Sequence, residues 1–282
     1  MFEDSPAILR KVLARHLQTL RERAGRSFTQ AAGELGLHHT TVRRMERAEH
    51  RLRISDLRAL LSYYGADEAE VRALVALAER AALKNWWEPY SDLLDGPMTN
   101  CLTLESGAAR IRAYAPWEVP ALLQTAEYAR AIAPRPEPDR WIELLERRQA
   151  LLDSDGSPML WAVLDESALR WEVGDCKVMT GQLAHLLTMA SRPHITIQVV
   201  PFSAGPAPAA RAGACCVYRL RPKELPDIVC AEQLEGLVFV DKPAAVAAYT
   251  EVLDQTAGQA TPRGEPTRRL LEGIHEDWRR SA

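Results

Sequence analysis

The sequence predicts an α+β protein with two domains. An all-α bundle of five helices over residues 1–84 precedes an α+β domain with a small, mainly antiparallel sheet over residues 85–282. Helix caps and helical apolar spacing mark the first domain. The second contains β-rich runs. These runs do not show the regular alternation with helices that a doubly wound sheet requires. The charge also changes sign. Residues 7–58 carry twelve Lys and Arg against five Asp and Glu, a net charge of +7, whereas residues 85–282 have a net charge of −7.

The composition excludes several classes of protein. With 47% hydrophobic and 26% charged residues, the 282-residue chain is neither collagenous nor low-complexity. No apolar run approaches the roughly 18 residues of a membrane helix, and the acidic start of the chain lacks the apolar region of a secretory signal. The five cysteines form no CxxC pair, which argues against a zinc ribbon or a thioredoxin site. We therefore expect a cytoplasmic protein with no membrane association.

The five helices of the first domain have recognisable starts and stops. Ser27 and Gln30 form a capping box, because the Ser27 hydroxyl accepts the third helical amide while Gln30 reaches back. Asp67 and Glu70 form a second box. The predicted helices begin near Pro6 (capped by Ser5), Phe28, His39, Ser55 and Glu68, and Gly25, Gly36 and Gly65 supply stops.

Residues 27–47 have the layout of a helix-turn-helix, with a tight turn at Gly36. Small or apolar residues occupy the positions that such a motif buries, namely Ala32, Leu35, Leu37, Val42 and Met45. Helical spacing places five polar residues on the exposed face of the second helix: His39, Thr40, Arg43, Arg44 and Arg47. An α-helix fits the major groove of B-DNA, where base edges are distinguishable. Double-stranded DNA is therefore the predicted partner.

Each residue type suggests a role on DNA. Arg44 suits bidentate binding to guanine, and Thr40 suits a hydrogen bond to a base or contact with a thymine methyl group. Thr41, Arg47, Arg51 and Arg53 are expected at phosphates. Ser27 and Thr29, at the start of the preceding helix, complete the predicted contact set. A basic helical bundle that does not bind DNA is the alternative, and the charge of +7 favours DNA.

Several segments carry a resemblance to a known family. Residues 21–36 resemble the start of an XRE/Cro-type regulator, and Thr41–Arg47 resembles its recognition helix. Further matching segments are Asn85–Trp87, Leu104-Glu105, Val119–Ala129, Leu164–Leu169 and Val200–Gly205. Together they resemble the actinobacterial WhiJ-like family, an XRE head joined to a C-terminal domain of unknown function. The resemblance covers nearly the whole chain.

The resemblance implies specific roles and partners. His39, Thr40 and Arg44 would read bases, and Thr41 would contact a phosphate. Phe28 stands where many such proteins have a phosphate-binding Gln, and His38 replaces the usual Ser or Thr cap, which weakens that cap. Members commonly lie beside a gene for a small partner protein, in an arrangement likened to toxin–antitoxin pairs. This implies a protein-binding or sensing role for residues 85–282.

The second domain gives a coarser prediction. Helices are expected at Leu104–Tyr114, Gln124–Ala133, Pro138–Leu152, Val178–Ala190, Ala244–Ala257 and Pro266–Arg280. Strands are expected at Met159–Leu164, Ile195–Val200, Ala214–Leu220, Asp227–Glu232 and Leu237–Val240, the last three as an antiparallel meander. The final helix is either a docking face or packed on its own domain.

Chemistry-bearing residues of this domain favour structural roles. Asp165 and Glu166 form an acid/base pair or, as we prefer, cap a short helix at Ser167–Trp171. His185, His194 and the Cys215-Cys216 pair are interpreted as structural rather than metal-binding. The tryptophans, Trp86, Trp87, Trp117, Trp161 and Trp171, are interpreted as core rather than as a ligand pocket.

The prediction is a DNA-binding transcriptional regulator that acts as a homodimer. It needs no cofactor or metal, and its C-terminal domain binds a small partner protein or a small-molecule effector. No motif of a known enzyme class occurs, and we expect no catalytic activity. The alternatives are an antitoxin-like interaction scaffold with secondary DNA binding, and an enzyme with an unrecognised C-terminal active site.

Overall fold

The computed structural model describes residues 6–50, 52–132, 137–222 and 225–281. The chain folds as two compact units whose main boundary lies between Glu88 and Pro89. The first unit is helical, and the second combines helices with a mixed sheet of six strands. The predicted α+β class is confirmed.

The first unit consists of five helices and their connecting turns. They are α1 (Pro6–Arg23), α2 (Phe28–Leu35), α3 (His39–Met45), α4 (Ile54–Tyr63) and α5 (Glu68–Ala81). Both predicted capping boxes form, at Ser27 before α2 and at Asp67 before α5. Ser5, the predicted cap of α1, lies outside the described residues. The local signals therefore set the boundaries of α2 and α5.

The core of the first unit is apolar and joins all five helices. Its fully buried side chains include Leu17, Val42, Leu57, Leu60 and Leu61. Leu37 was expected in this core, and that prediction is wrong, because its side chain is 39% exposed. Gly36 has a left-handed backbone with φ of 62° and turns the chain away from the core before Leu37.

The second unit contains seven helices and six strands within the described residues. The helices are α6 (Gly96–Gly107), α7 (Ala126–Ile132), α8 (Pro138–Gln149), α9 (Ser167–Arg170), α10 (Cys176–Met189), α11 (Pro243–Gln259) and α12 (Glu265–Arg280). The strands are β1 (Ala108–Ala115), β2 (Met159–Asp165), β3 (Ile195–Val200), β4 (Cys215–Leu220), β5 (Ile228–Gln233) and β6 (Gly236–Val240).

The strand order in the sheet is β3-β2-β1-β4-β5-β6. β1 pairs in parallel with β2, which pairs in parallel with β3. β4, β5 and β6 form the predicted antiparallel meander, and β4 is antiparallel to β1. β1 is therefore the strand at which the sheet changes from parallel to antiparallel.

The helix predicted over Leu104–Tyr114 is wrong. Helix α6 ends at Gly107, and the residues after it form the central strand β1. Strand β1 has neighbours on both sides, so Ile111 and Tyr114 are buried on opposite faces of the sheet. A strand buried on both faces lacks the alternation of apolar and polar residues that distinguishes strands from helices in a sequence.

Helices cover the sheet and also pack on one another. On one face, Val217 and Val229 contact a cluster that includes Val246 and Leu253 of α11. The final helix, α12, packs against α10, with Leu271 and Ile274 buried. It is therefore packed on its own domain. The helices of the described residues are all too short or too polar to cross a membrane.

Candidate nucleic-acid interface

Hydrogen bonds fix both ends of α2. At the start of α2, the Gln30 amide donates to Ser27 Oγ at 3.2 Å, and the Ser27 amide donates to Gln30 Oε1 at 2.9 Å. After Gly36, the Leu37 amide donates to the Ala32 carbonyl at 2.9 Å. Two short helices, α2 and α3, thus follow one another across a tight turn, as in a helix-turn-helix.

Helix α3 begins with an unusual cap. His38 Nδ1 accepts from the Thr40 amide at 3.4 Å, which is long for such a bond, so the cap is weak as predicted. The His38 and His39 rings lie 4.2 Å apart between centroids. On the other side of the helix, Val42 and Met45 are buried in the core, so one face of α3 is left for solvent.

The solvent face of α3 is polar and basic. His39, Thr40, Arg43 and Arg44 are exposed, and Thr41 is half-buried. Arg44 makes one long hydrogen bond, to the Glu49 carbonyl at 3.4 Å. The ion pairs among the described residues do not include Arg43 or Arg44. Their charges are therefore available to an anionic partner.

The remaining predicted contact residues flank this face. Arg47 is exposed in the turn directly after α3, and Thr29 is exposed in the first turn of α2. The Ser27 hydroxyl is occupied within the capping box, because it also donates to Gln30 Oε1 at 3.1 Å. Arg53 is exposed before α4. Arg51 lies outside the described residues.

A buried ion pair connects α1 to the end of the helix-turn-helix motif. Arg21 Nε donates to both carboxylate oxygens of Glu46, at 2.8 and 3.0 Å, and Arg21 Nη1 donates to the Arg26 carbonyl at 3.0 Å. The pair joins the last turn of α1 to the residue that follows α3. Burial raises the pKa of the Glu46 carboxyl, and the neighbouring Arg21 opposes this shift.

Sequence reasoning missed this pair, although a signal was present. Arg21 comes four residues after the buried Leu17 and therefore lies on the inner face of α1. Its guanidinium also stacks over the Phe28 ring, 4.2 Å from the centroid. Phe28, the departure from the Gln of related motifs, thus packs against the ion pair.

The second unit presents a different candidate surface. The indoles of Trp117 and Trp171 stack with centroids 6.3 Å apart and are 49% and 55% exposed. Exposed Phe202 follows the end of β3, and β1, β2 and β3 are parallel, so the three aromatics lie near the carboxyl edge of those strands. The prediction that Trp117 and Trp171 pack in the core is wrong. Trp87 is buried as expected.

Glu166 occupies the predicted N-cap position of α9, but its side chain makes no capping hydrogen bond to the helix. Glu166 accepts from Arg170 Nε at 2.6 Å and from the Phe202 amide at 2.8 Å, and Asp165 accepts from the Tyr114 hydroxyl. The Glu166 carboxylate thus joins the segments that follow β2 and β3, and the Asp165 carboxylate joins β2 to β1.

The histidines and cysteines described next contact other groups of the second unit or are buried within it. His194 Nε2 lies 2.9 Å from the Leu152 carbonyl, and burial together with Arg192 lowers the pKa of His185. Cys101 Sγ and Cys230 Sγ lie 3.4 Å apart. In the part of the chain that the structure describes, no three His, Cys, Asp or Glu residues are arranged to hold a metal ion.

Each unit matches a model of a known family. A model described as a helix-turn-helix domain matches residues 12–74. A model described as a domain of unknown function, DUF5753, matches residues 98–273, which is more than half of the chain. Searches of curated proteins and of solved structures returned no match.

Proposed function

Because this chain belongs to the DUF5753 family and joins that domain to a helix-turn-helix domain, we propose that it is a sequence-specific DNA-binding transcriptional regulator. The observation that carries the proposal is the solvent face of α3, where exposed polar side chains stand on a helix anchored by Val42 and Met45. The proposed place of action is the cytoplasm. We also propose that the protein is an XRE-type regulator of the WhiJ-like family.

The proposed binding mode places α3 in the major groove. His39, Thr40 and Arg44 read base edges, while Thr41 and Arg47 contact phosphates together with the flanking basic residues. The protein acts as a homodimer, since two recognition helices about 34 Å apart read half-sites on one face of the duplex. The charge of +7 over residues 7–58 supports this polyanion partner.

The test of this proposal is selection of bound duplexes from a random library, followed by affinity measurement on the selected site. The variant Arg43→Ala/Arg44→Ala should lose the preference for the selected site. Arg72→Ala removes an exposed arginine from α5 and is the control, which should retain that preference. If no sequence is enriched, or if both variants behave alike, the proposal fails.

We propose further that the second unit binds a partner or effector and performs no chemistry. The stacked pair Trp117 and Trp171 supports a protein partner, because large exposed aromatics are enriched where proteins associate. The resemblance to a family paired with small proteins points in the same direction. Binding that prefers one arrangement of the DNA-binding units would change DNA affinity by linkage.

The second candidate is an antitoxin-like scaffold whose DNA binding is secondary, and the same aromatic pair favours it. Titrating the full chain with the small partner protein that the family resemblance implies, the product of a neighbouring gene, separates the two. If the protein is a regulator, formation of the complex changes its affinity for DNA. If it is a scaffold, the complex forms tightly and the affinity for DNA stays the same. Trp117→Ala/Trp171→Ala should abolish the complex. Met159→Ala, an exposed apolar residue at the other end of β2, should not.

A further inference from the structure

The second unit contains a cavity of about 550 Å³ that is distinct from its aromatic edge. Its walls come from the sheet and from the helices on one side, including Ile111 and Ala113 of β1 and Trp141 and Leu145 of α8. The size falls within the range of roughly 300–1,000 Å³ that small-molecule sites occupy. A mostly apolar wall of this kind suits a hydrocarbon or aromatic body.

A neutral ion pair lines part of the cavity. Arg148 donates to both oxygens of Glu105, from Nε and Nη2, at 2.6 Å each. The Glu105 side chain is only 4% exposed and the Arg148 side chain 17%. Because each charge is compensated by the other, this pair attracts neither an anion nor a cation strongly.

The uncompensated charge of the cavity is negative. Glu118 and Glu232 both line it, and their partial or full exposure places them towards solvent. Arg130, a lining cation, is paired with Asp139 at 3.3 Å. Glu118 and Glu232 are absent from the ion pairs formed by the described residues. Burial and the nearby Glu232 raise the pKa of Glu118, as expected for a carboxylate without a cation.

We propose that this cavity is a binding site for an apolar organic cation. The hydrocarbon or aromatic body fills the space beside Ile111, Ala113 and Trp141, and an ammonium group pairs with Glu118. Glu232 strengthens the local negative potential. The binding step is independent of DNA. Only its consequence, a change in DNA affinity, depends on the function proposed above.

The test uses three probes with one aromatic body and different charges: 1-naphthylmethylamine, 1-naphthalenemethanol and 1-naphthoate. Isothermal titration of the full chain without DNA should give an affinity for the amine about tenfold above that for the alcohol, with the carboxylate weakest. Failure of all three to bind, or an amine that binds no better than the alcohol, overturns the proposal.

Matched variants locate the ammonium group. Glu118→Gln should weaken the amine about tenfold and leave the alcohol unchanged, because it removes the charge and keeps the shape. Glu127→Gln neutralises an exposed carboxylate of α7 outside the cavity and should change neither. Equal effects of the two variants on the amine would overturn the role of Glu118.

Variants that fill the cavity test where the apolar body of the probe binds. Ala129→Phe, on α7, should abolish binding of both amine and alcohol, and Leu145→Trp on α8 tests the same space if the first variant unfolds. Unchanged binding by a folded variant would place the probes elsewhere and overturn the proposal. Loss of sequence preference in the DNA selection would refute the regulator without affecting these titrations.

Discussion

Both units of this protein contain a buried Arg–Glu ion pair, but the two pairs have different surroundings. In the first unit, Arg21 and Glu46 are enclosed by packed side chains, with the Phe28 ring on the guanidinium. In the second unit, Arg148 and Glu105 line a cavity of about 550 Å³. The same chemistry therefore anchors a recognition helix in one unit and borders an open space in the other.

The comparison shows that the surroundings of a buried ion pair determine how much stability is lost when one partner is removed. An enclosed pair is shielded from water, so its members rely mainly on each other and on neighbouring polar groups, here the Arg26 carbonyl. A pair beside a polar-rimmed cavity has room for water. Removal of one partner should therefore have different costs in the two units.

The largest effect is expected from Glu46→Ala. This change leaves Arg21 buried without its carboxylate, which costs about 3–5 kcal/mol. We expect the free energy of unfolding of the first unit to fall by that amount in urea titrations followed by circular dichroism. Glu34→Ala, which removes an exposed carboxylate from α2, is the control. A loss no greater than that of the control would show that the pair does not stabilise the unit.

A smaller effect, about 2–3 kcal/mol, is expected from Glu105→Ala, because water in the cavity can hydrate the Arg148 guanidinium that this change leaves unpaired. The double variant Glu105→Leu/Arg148→Met should recover most of this stability, since apolar replacement of a whole buried pair is often neutral. Urea unfolding measures both, and Glu146→Ala on the exposed side of α8 is the control. A cost equal to that of Glu46→Ala would remove the contrast between the two units.

The recognition face offers a third comparison, between Arg44 on α3 and Arg47 just after it. Arg44→Ala should cost about 1–3 kcal/mol on the selected site and relax one base position. Arg47→Ala should weaken binding to all sequences alike and reduce the dependence of affinity on salt. Fluorescence anisotropy on selected and random duplexes measures both. Equal losses on both duplexes for Arg44→Ala would make Arg44 a phosphate ligand.

The smallest effect concerns pH and the second unit. Burial lowers the pKa of His185 in the folded state, so the unfolded chain binds the proton more readily. Stability present above the ordinary pKa of about 6.5 is therefore lost as the pH falls through that value. The urea midpoint of wild type should fall more between pH 7 and pH 5 than that of His185→Gln. The control is His39→Gln, which removes an exposed imidazole. Its urea midpoint should fall between pH 7 and pH 5 as much as that of wild type.

Local signals predicted much of the first unit. The capping residues Ser27 and Asp67 and the left-handed Gly36 act within a few residues of themselves, so the sequence reveals their effects directly. The exposed face of α3 followed from helical spacing. The partner of Glu46 lies 25 residues away, and the contact between them depends on how α1 packs on the motif. That information is not local.

The second unit was predicted less well for the same reason. Strand β1 was mistaken for helix because its neighbours come from residues 159–164 and 215–220, and only that pairing makes it a strand. The cavity is lined by three α-helices and five strands that are distant in sequence, so no motif marks it. The stacking of Trp117 on Trp171 likewise depends on loops that follow different strands.

The central position of β1 also affects the order in which the chain becomes structured on the ribosome. All five helices of the first unit have been made once Glu88 has emerged, and these helices need only near neighbours. One edge of β1 waits for β2, and the other stays unpaired until β4 is made, about 100 residues later. At about 5–20 residues per second this delay is roughly 5 to 20 seconds. During translation, the nascent chain therefore carries finished helices followed by a strand with an open edge, the kind of segment that chaperones bind and that aggregates in their absence.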